Sequence, residues 1–291
     1  MPEGVIIKAL SGFYYVRSGD ETIECRARGR FRLDGSSPLV GDRVIFSIGQ
    51  QGKGRVDEIL PRKNFFVRPA VANIDVLAAV SSEVNPVTDP FLIDRIAGIA
   101  ENNGCRVIIC INKADLSRSD RLFSIYSKTG YKVIYTSAVT GEGLETLCAQ
   151  LKGCVCAFSG NSGVGKSSLL NAIAPGLKIQ TGEVSAKLGR GRHTTRHVEL
   201  FDIGMAYLAD TPGFASFDVE AMPPIPKDAL QYAFPEFRPH IGRCRFDNCA
   251  HLKEPDCAVT AAVKAGEISQ SRYHSYVRLY EISAQYKDWE K

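Results

Sequence analysis

The stretch GNSGVGKS at 160–167 has the spacing G-x-x-x-x-G-K-[ST], which suits the binding of a chain of phosphates. Its glycines let successive backbone N–H groups curl around phosphate oxygens, and a following helix would add the positive partial charge of its amino terminus. Lys166 is placed to reach the β and γ phosphates and Ser167 to ligate Mg²⁺. Gly160, Asn161, Ser162, Gly163, Val164, Gly165, Lys166, Ser167 and Ser168 are therefore assigned to a nucleotide. The bland alternative is a chance glycine turn. It is disfavoured because the apolar run CVCAFSG precedes the loop as a strand and SLLNAIA follows it as a helix.

Three further motifs have matching chemistry. DTPG at 210–213 follows the apolar run GMAYLA, so Asp210 can hold the magnesium shell from a strand end and Gly213 can offer its amide to a γ-phosphate. NKAD at 112–115 also closes a strand. The Asp115 carboxylate can accept from two neighbouring N–H groups of guanine, whereas adenine would leave it unpaired at a loss of a few kcal/mol. Asn112, Lys113 and Ala114 would support and cover the base, and Ser137 and Ala138 of TSA would close its pocket. The base motifs come before the phosphate motifs, the reverse of the usual order. One sheet entered at a different strand accounts for this, with GEGLETLCAQLKG as the join, so the domain is predicted to be circularly permuted.

A second cluster lies near the carboxyl end. Cys244, Cys249, His251 and Cys257 follow C-x4-C-x-H-x5-C, and three thiolates with one imidazole suit a closed, structural Zn²⁺. Unmetallated cysteines are the alternative. Cys105, Cys110, Cys154 and Cys156 fall in predicted strands and Cys148 in a predicted helix, where packing is the better reading. His240 and His274 read as surface or packing residues.

The elements that must position these groups divide the chain in three. Residues 1–68 alternate in short segments broken by turn residues, which predicts a small five-stranded barrel of the oligonucleotide/oligosaccharide-binding (OB) kind. Residues 73–220 alternate strand and helix, predicting a mostly parallel sheet covered by helices. Residues 221–291 carry the cysteine-histidine cluster and helices, with Tyr273, Tyr276, Val277 and Tyr280 forming a packing stripe at helical spacing. The fold class is thus multidomain: an OB-like barrel, a permuted α/β phosphate-loop domain and a helical zinc-binding domain. Apolar residues make up 44% of the 291, enough for real cores, and the net charge of +4 is concentrated in the basic first module, which is compatible with a polyanionic partner. No run is long enough for a membrane span and the amino terminus lacks a signal-peptide pattern, so a cytoplasmic protein with reduced thiols is expected.

With NKAD, TSA, GNSGVGKSS and DTPGF in this order, followed by CRFDNCAHLKEPDC, the chain resembles the ribosome small-subunit-dependent GTPase A family (RsgA, YjeQ, YloQ) over essentially its whole length. The resemblance implies a monomeric GTPase cycling between GTP and GDP with Mg²⁺. It further implies binding to the small ribosomal subunit and its rRNA, action late in subunit maturation and stimulation by the subunit. GRHTT at 191–195 is similar to the family's first switch segment, which makes Thr194 or Thr195 the magnesium-sensing threonine. Phe214 stands where a Ras-like enzyme keeps a water-orienting glutamine, so intrinsic turnover should be slow; His193 is the candidate for positioning the water. The competing reading places His193 and its arginine neighbours on rRNA phosphates. The alternative function is a nucleotide-gated rRNA-binding module in which hydrolysis is incidental; an ATP-using kinase is disfavoured by Asp115.

Overall fold

The computed structural model describes residues 1–29, 31, 37–49, 52–67, 69–177, 198–210 and 222–286, with the side chain of Asp210 outside that description. Strands β1 (Glu3–Leu10), β2 (Phe13–Ser18), β3 (Glu21–Ala27), β4 (Arg43–Ile48) and β5 (Gly54–Ile59) pair in the order β1-β2-β3-β5-β4, and β4 returns to β1, closing the predicted barrel. Closure results from period-2 patterning: Ile6, Val16, Cys25, Val44, Phe46 and Val56 all point inward and are buried. Ser11 and Gly12 both hold positive φ, the backbone of a two-residue type I′ hairpin, and so set the β1–β2 register.

A short hairpin, β6 (Phe65–Val67) and β7 (Ala70–Ala72), leads out of the barrel and was not expected from the sequence. Next along the chain are β8 (Val76–Ser82), α1 (Pro90–Asn102), β9 (Arg106–Asn112), α2 (Arg121–Tyr126), β10 (Lys132–Tyr135), α3 (Leu144–Leu151), β11 (Val155–Ser159), α4 (Lys166–Ile173), β12 (Glu199–Asp202) and β13 (Tyr207–Asp210). In space the order is β10-β9-β8-β11-β13-β12, all parallel except β12. β8 is buried at every position, as a central strand covered on both faces must be. Leu77, Ala79, Val107, Ile109 and Ile111 face one core with α1, whereas Val76, Ala78, Val80, Ile108 and Cys110 face the other. Cys105 and Cys154 sit just before β9 and β11 rather than inside them, Cys105 buried and Cys154 half-buried.

The chain runs β8, β9, β10 to one side of β8, then returns to β11 and β13 on the other, so the order reverses between β8 and β11. In open α/β sheets that reversal opens a crevice at the carboxyl ends of the strands, where ligands bind. Residues 136–154 make the return crossing, and the segment proposed as the join, 141–153, lies within it. Gly143 is needed there: it holds φ +72, and a Cβ would lie 2.0 Å from the Tyr135 carbonyl oxygen.

Barrel and α/β sheet are continuous through an antiparallel contact of β1 with β12, where Lys8 and Glu199 pair at 2.8 Å. The carboxyl-terminal region adds α5 (Lys227–Leu230), α6 (Ala258–Lys264) and α7 (Gln270–Gln285), with α7 packed on α1. At that contact the Arg272 guanidinium is buried. It donates to Glu236 Oε1 at 2.7 Å and Oε2 at 3.1 Å, and to Asp94 Oδ1 at 2.7 Å, while Tyr126 donates to the same Asp94 oxygen. Burial works against the Arg272 charge, but Glu236 and Asp94 outweigh it and push its pKa up. Among the described residues no helix is long and apolar enough to cross a membrane.

Stripping one partner from a buried ion cluster leaves uncompensated charge, at a cost of about 3–5 kcal/mol. Arg272→Met is therefore expected to lower the denaturant midpoint sharply, and Arg272→Met with Asp94→Asn and Glu236→Gln to regain part of that loss. A single mutant as stable as the parent would contradict the assignment.

Candidate nucleotide site and cysteine-histidine centre

The phosphate-loop motif leaves β11 at Ser159 and enters α4 at Lys166. Three of its glycines hold positive φ, and at two of them a Cβ would collide with a neighbour. Gly160 holds φ +147, and a Cβ there would lie 2.1 Å from the Val80 carbonyl oxygen; Gly165 holds φ +91, and its Cβ would meet Asn112 Nδ2 at 2.5 Å. The Lys166 ammonium turns back into the loop, donating to the carbonyls of Gly160 at 2.7 Å and Asn161 at 2.8 Å. Burial lowers its pKa to about 8, and anionic oxygens at the loop would favour its charged form. Ser162, Gly163 and Ser168 are exposed, Asn161 and Ser167 half-buried, and Val164 is anchored in the core.

The base motif meets this loop directly. Asn112 ends β9 and is 3% exposed; its Nδ2 donates to the Val164 carbonyl at 2.8 Å, and its Oδ1 accepts from Thr136 Oγ1 at 3.2 Å. One amide thus ties together the ends of β9 and β10 and the phosphate loop. Lys113, at φ +64, sends its ammonium to the Asn85 carbonyl, and Ala114 N–H bonds the Thr136 carbonyl at 3.1 Å. Ser137 Oγ accepts from the N–H groups of Val139 and Thr140, which commits its proton to Asp115 Oδ1 at 2.6 Å. Asp115 is exposed, its carboxylate oriented by the hydrogen bond from Ser137, and Ala138 is half-buried. Asp210 ends β13, which runs parallel to β11. The sequence-predicted residues from Asn112 to Ser168 are therefore brought to one edge of the sheet. His193, Thr194, Thr195 and Gly213 lie outside the described residues.

The second cluster is equally compact. The ligand atoms of Cys244, Cys249, His251 and Cys257 all lie within 4.8 Å of one another. Sulfur bonds of about 2.3 Å in a tetrahedron put neighbouring sulfurs roughly 3.8 Å apart, and the Cys244 and Cys257 sulfurs are 3.8 Å apart. His251 Nδ1 faces these sulfurs at 3.5 and 3.4 Å, and its Nε2 meets Gln231 Oε1 at 2.9 Å, the second contact that fixes a ligating imidazole. Burial lowers the His251 pKa, favouring the neutral ring a metal needs. Glu254 accepts three backbone N–H groups, from Ala250, Leu252 and Lys253, and so shapes the ligand loop. The tyrosine stripe packs over it: Tyr273 donates to the carbonyls of His251 and Leu252, and Tyr276 to that of Ala250. The arrangement fits a transition-metal ion.

Sequence reasoning missed several supporting residues, namely Thr88, Asn85, Gln231 and Arg272. None sits in a motif; each matters because of what the fold sets opposite it.

A permuted α/β sheet with a phosphate loop joined through Asn112 to a guanine-type base motif defines the class: this is a circularly permuted GTPase. The family model for the RsgA GTPase matches residues 59–220 and that for the RsgA N-terminal domain residues 3–56. The chain belongs to the RsgA family. The small ribosomal subunit biogenesis GTPase RsgA of Halalkalibacterium halodurans is 45% identical over 294 residues, 99% of either chain, and that of Caldanaerobacter subterraneus 46% identical over 95% of this chain and 94% of the relative. Among solved structures, YjeQ from Thermotoga maritima superposes with a TM-score of 0.83 at 36% identity, covering 98% of this chain and 99% of the other. YloQ, described as a circularly permuted GTPase, gives 0.81 at 39% identity, covering 99% and 96%.

If Asp115 reads the guanine N–H pair, Asp115→Asn should shift preference from guanosine to xanthosine diphosphate by one to two orders of magnitude, measured as competing dissociation constants. Unaltered guanine preference would take base recognition away from Asp115.

Proposed function

We propose that this GTPase binds the small ribosomal subunit, assists its late maturation and is stimulated by it, working in the cytoplasm as a monomer. The reading is supported by relatives named for small-subunit biogenesis that align over nearly the full chain, and by the basic barrel module, whose cationic excess suits rRNA phosphates. The working division of labour is a barrel through residue 68, the GTPase at 73–220 and a zinc-bearing helical unit at 221–291. Within the GTPase, the N–H groups of 160–168 and Lys166 hold the phosphates, while Asn112, Lys113, Ala114, Asp115, Ser137 and Ala138 hold guanine. Ser167, with Thr194 or Thr195 and the Asp210 shell, holds Mg²⁺, which spreads the charge that develops on the transferring phosphoryl group. The Gly213 amide meets the γ-phosphate and His193 orients the water. Phe214 cannot take that part, so docking on the subunit is what brings turnover to a useful rate.

GTP turnover with and without purified small subunits tests this reading. The rate should rise at least tenfold with subunits and not with free polyanions, and His193→Ala should erase most of that rise while leaving nucleotide affinity intact. Equal rates in the parent protein would remove the stimulation and favour an rRNA-binding module in which hydrolysis is incidental; an undiminished rise in the variant would remove only the histidine.

For the metal, we propose one structural Zn²⁺ per chain on Cys244, Cys249, His251 and Cys257. Metal analysis of the purified protein should find it, and Cys249→Ser should both lose it and unfold the 222–286 region at lower denaturant concentration. A fully folded, metal-free protein would exclude zinc.

A further inference from the structure

The loop between β8 and α1 carries no nucleotide motif, yet it closes on the phosphate loop from behind. Thr88 is only 1% exposed. Its hydroxyl oxygen accepts the Ser82 N–H at 2.9 Å, and its backbone N–H in turn donates to the Ser82 carbonyl at 2.8 Å. With the hydroxyl's acceptor side so occupied, its proton goes to the Asn161 side-chain oxygen at 3.1 Å. Asn161 is the second residue of the phosphate loop, and its carbonyl is one of the two that hold the Lys166 ammonium.

The rest of the loop is braced at both ends. Arg121, opening α2 just past the base motif, donates to Glu83 at 3.0 Å and to the Thr88 carbonyl at 3.1 Å; Glu83 also accepts the Leu122 N–H at 2.7 Å. The Asn85 carbonyl receives Lys113, and Pro86 stands 3.2 Å from where a Cβ on Gly163 would be. Residues 83–88 are therefore a fixed strut between the base motif and the back of the phosphate loop.

We propose that Thr88 is a positioning residue for nucleotide binding, acting through Asn161. By holding the Asn161 side chain, Thr88 fixes the 160–161 segment, whose carbonyls locate Lys166 and whose neighbouring N–H groups face the phosphates. Valine has nearly the shape of threonine but no hydroxyl, so Thr88→Val removes the hydrogen bond to Asn161 together with the acceptor of the Ser82 N–H and leaves the packing. This role rests on residues 160–168 being the phosphate loop.

GDP binding to the full-length protein in Mg²⁺, followed by calorimetry, tests it with four variants. Losing the hydroxyl that orders a binding loop should weaken Thr88→Val about tenfold. Thr88→Ser should bind within about twofold of the parent, and Asn161→Ala should show most of the Thr88→Val loss. The double variant should be no weaker than Thr88→Val alone, the non-additivity expected of one shared contact. Parental affinity in Thr88→Val, or a double loss equal to the product of the single losses, overturns the proposal. Should Thr88→Val fail to fold by its melting curve, Asn161→Ala decides, and parental affinity there is equally fatal. Absence of GDP binding by the parent protein would instead bring down the phosphate-loop reading itself.

Discussion

The site depends on one side-chain amide. Asn112 spends its donor on the Val164 carbonyl and its acceptor on Thr136, at a position almost sealed from water. An unpaired polar group at such depth is costly, so the ends of β9, β10 and β11 are held to one mutual placement. Gly165 is glycine for the same reason: the space a Cβ would take belongs to Asn112. The Asp115 carboxylate three residues further on and the 160–167 loop that follows β11 are thereby brought to the same edge of the sheet.

That constraint also explains why permutation is tolerated. The contacts joining base motif to phosphate loop are between side chains and backbone groups at strand ends, and none depends on which strand came first along the chain. Permutation does alter the destination of the chain beyond β13. It passes from there to the carboxyl-terminal unit, and that unit returns to the GTPase through Arg272, whose charge is neutralised by Glu236 from its own region and Asp94 from α1. Such a buried cluster says little about net stability but much about docking geometry, because sliding α7 along α1 would strand three charges.

The cysteine-histidine centre is built by the same logic of satisfied groups. Three thiols and one imidazole converge within 4.8 Å, a donor set that suits one ion. Around them Gln231 orients the imidazole, Glu254 gathers three N–H groups, and Tyr273 and Tyr276 take up the carbonyls of the ligand loop. The unit is small and compact around its ligands, with α7 as the lid that also carries Arg272.

Much was legible in the residues alone. Period-2 alternation marked the barrel strands, unbroken apolar runs marked β8 and β9, and motif spacing marked the groups that can touch a nucleotide or a metal; local chain geometry and side-chain chemistry suffice for these, because the participants lie within a few residues of one another. The β6–β7 hairpin and α2 escaped because three- and six-residue elements carry too little pattern to register. The pairing of Thr88 with Asn161 lies 73 positions apart, and that of Asp94 with Arg272 lies 178 apart. No local rule couples such positions. Which residues could do chemistry was therefore decided by sequence, and which backs they lean on was decided only when the sheet brought its strand ends together.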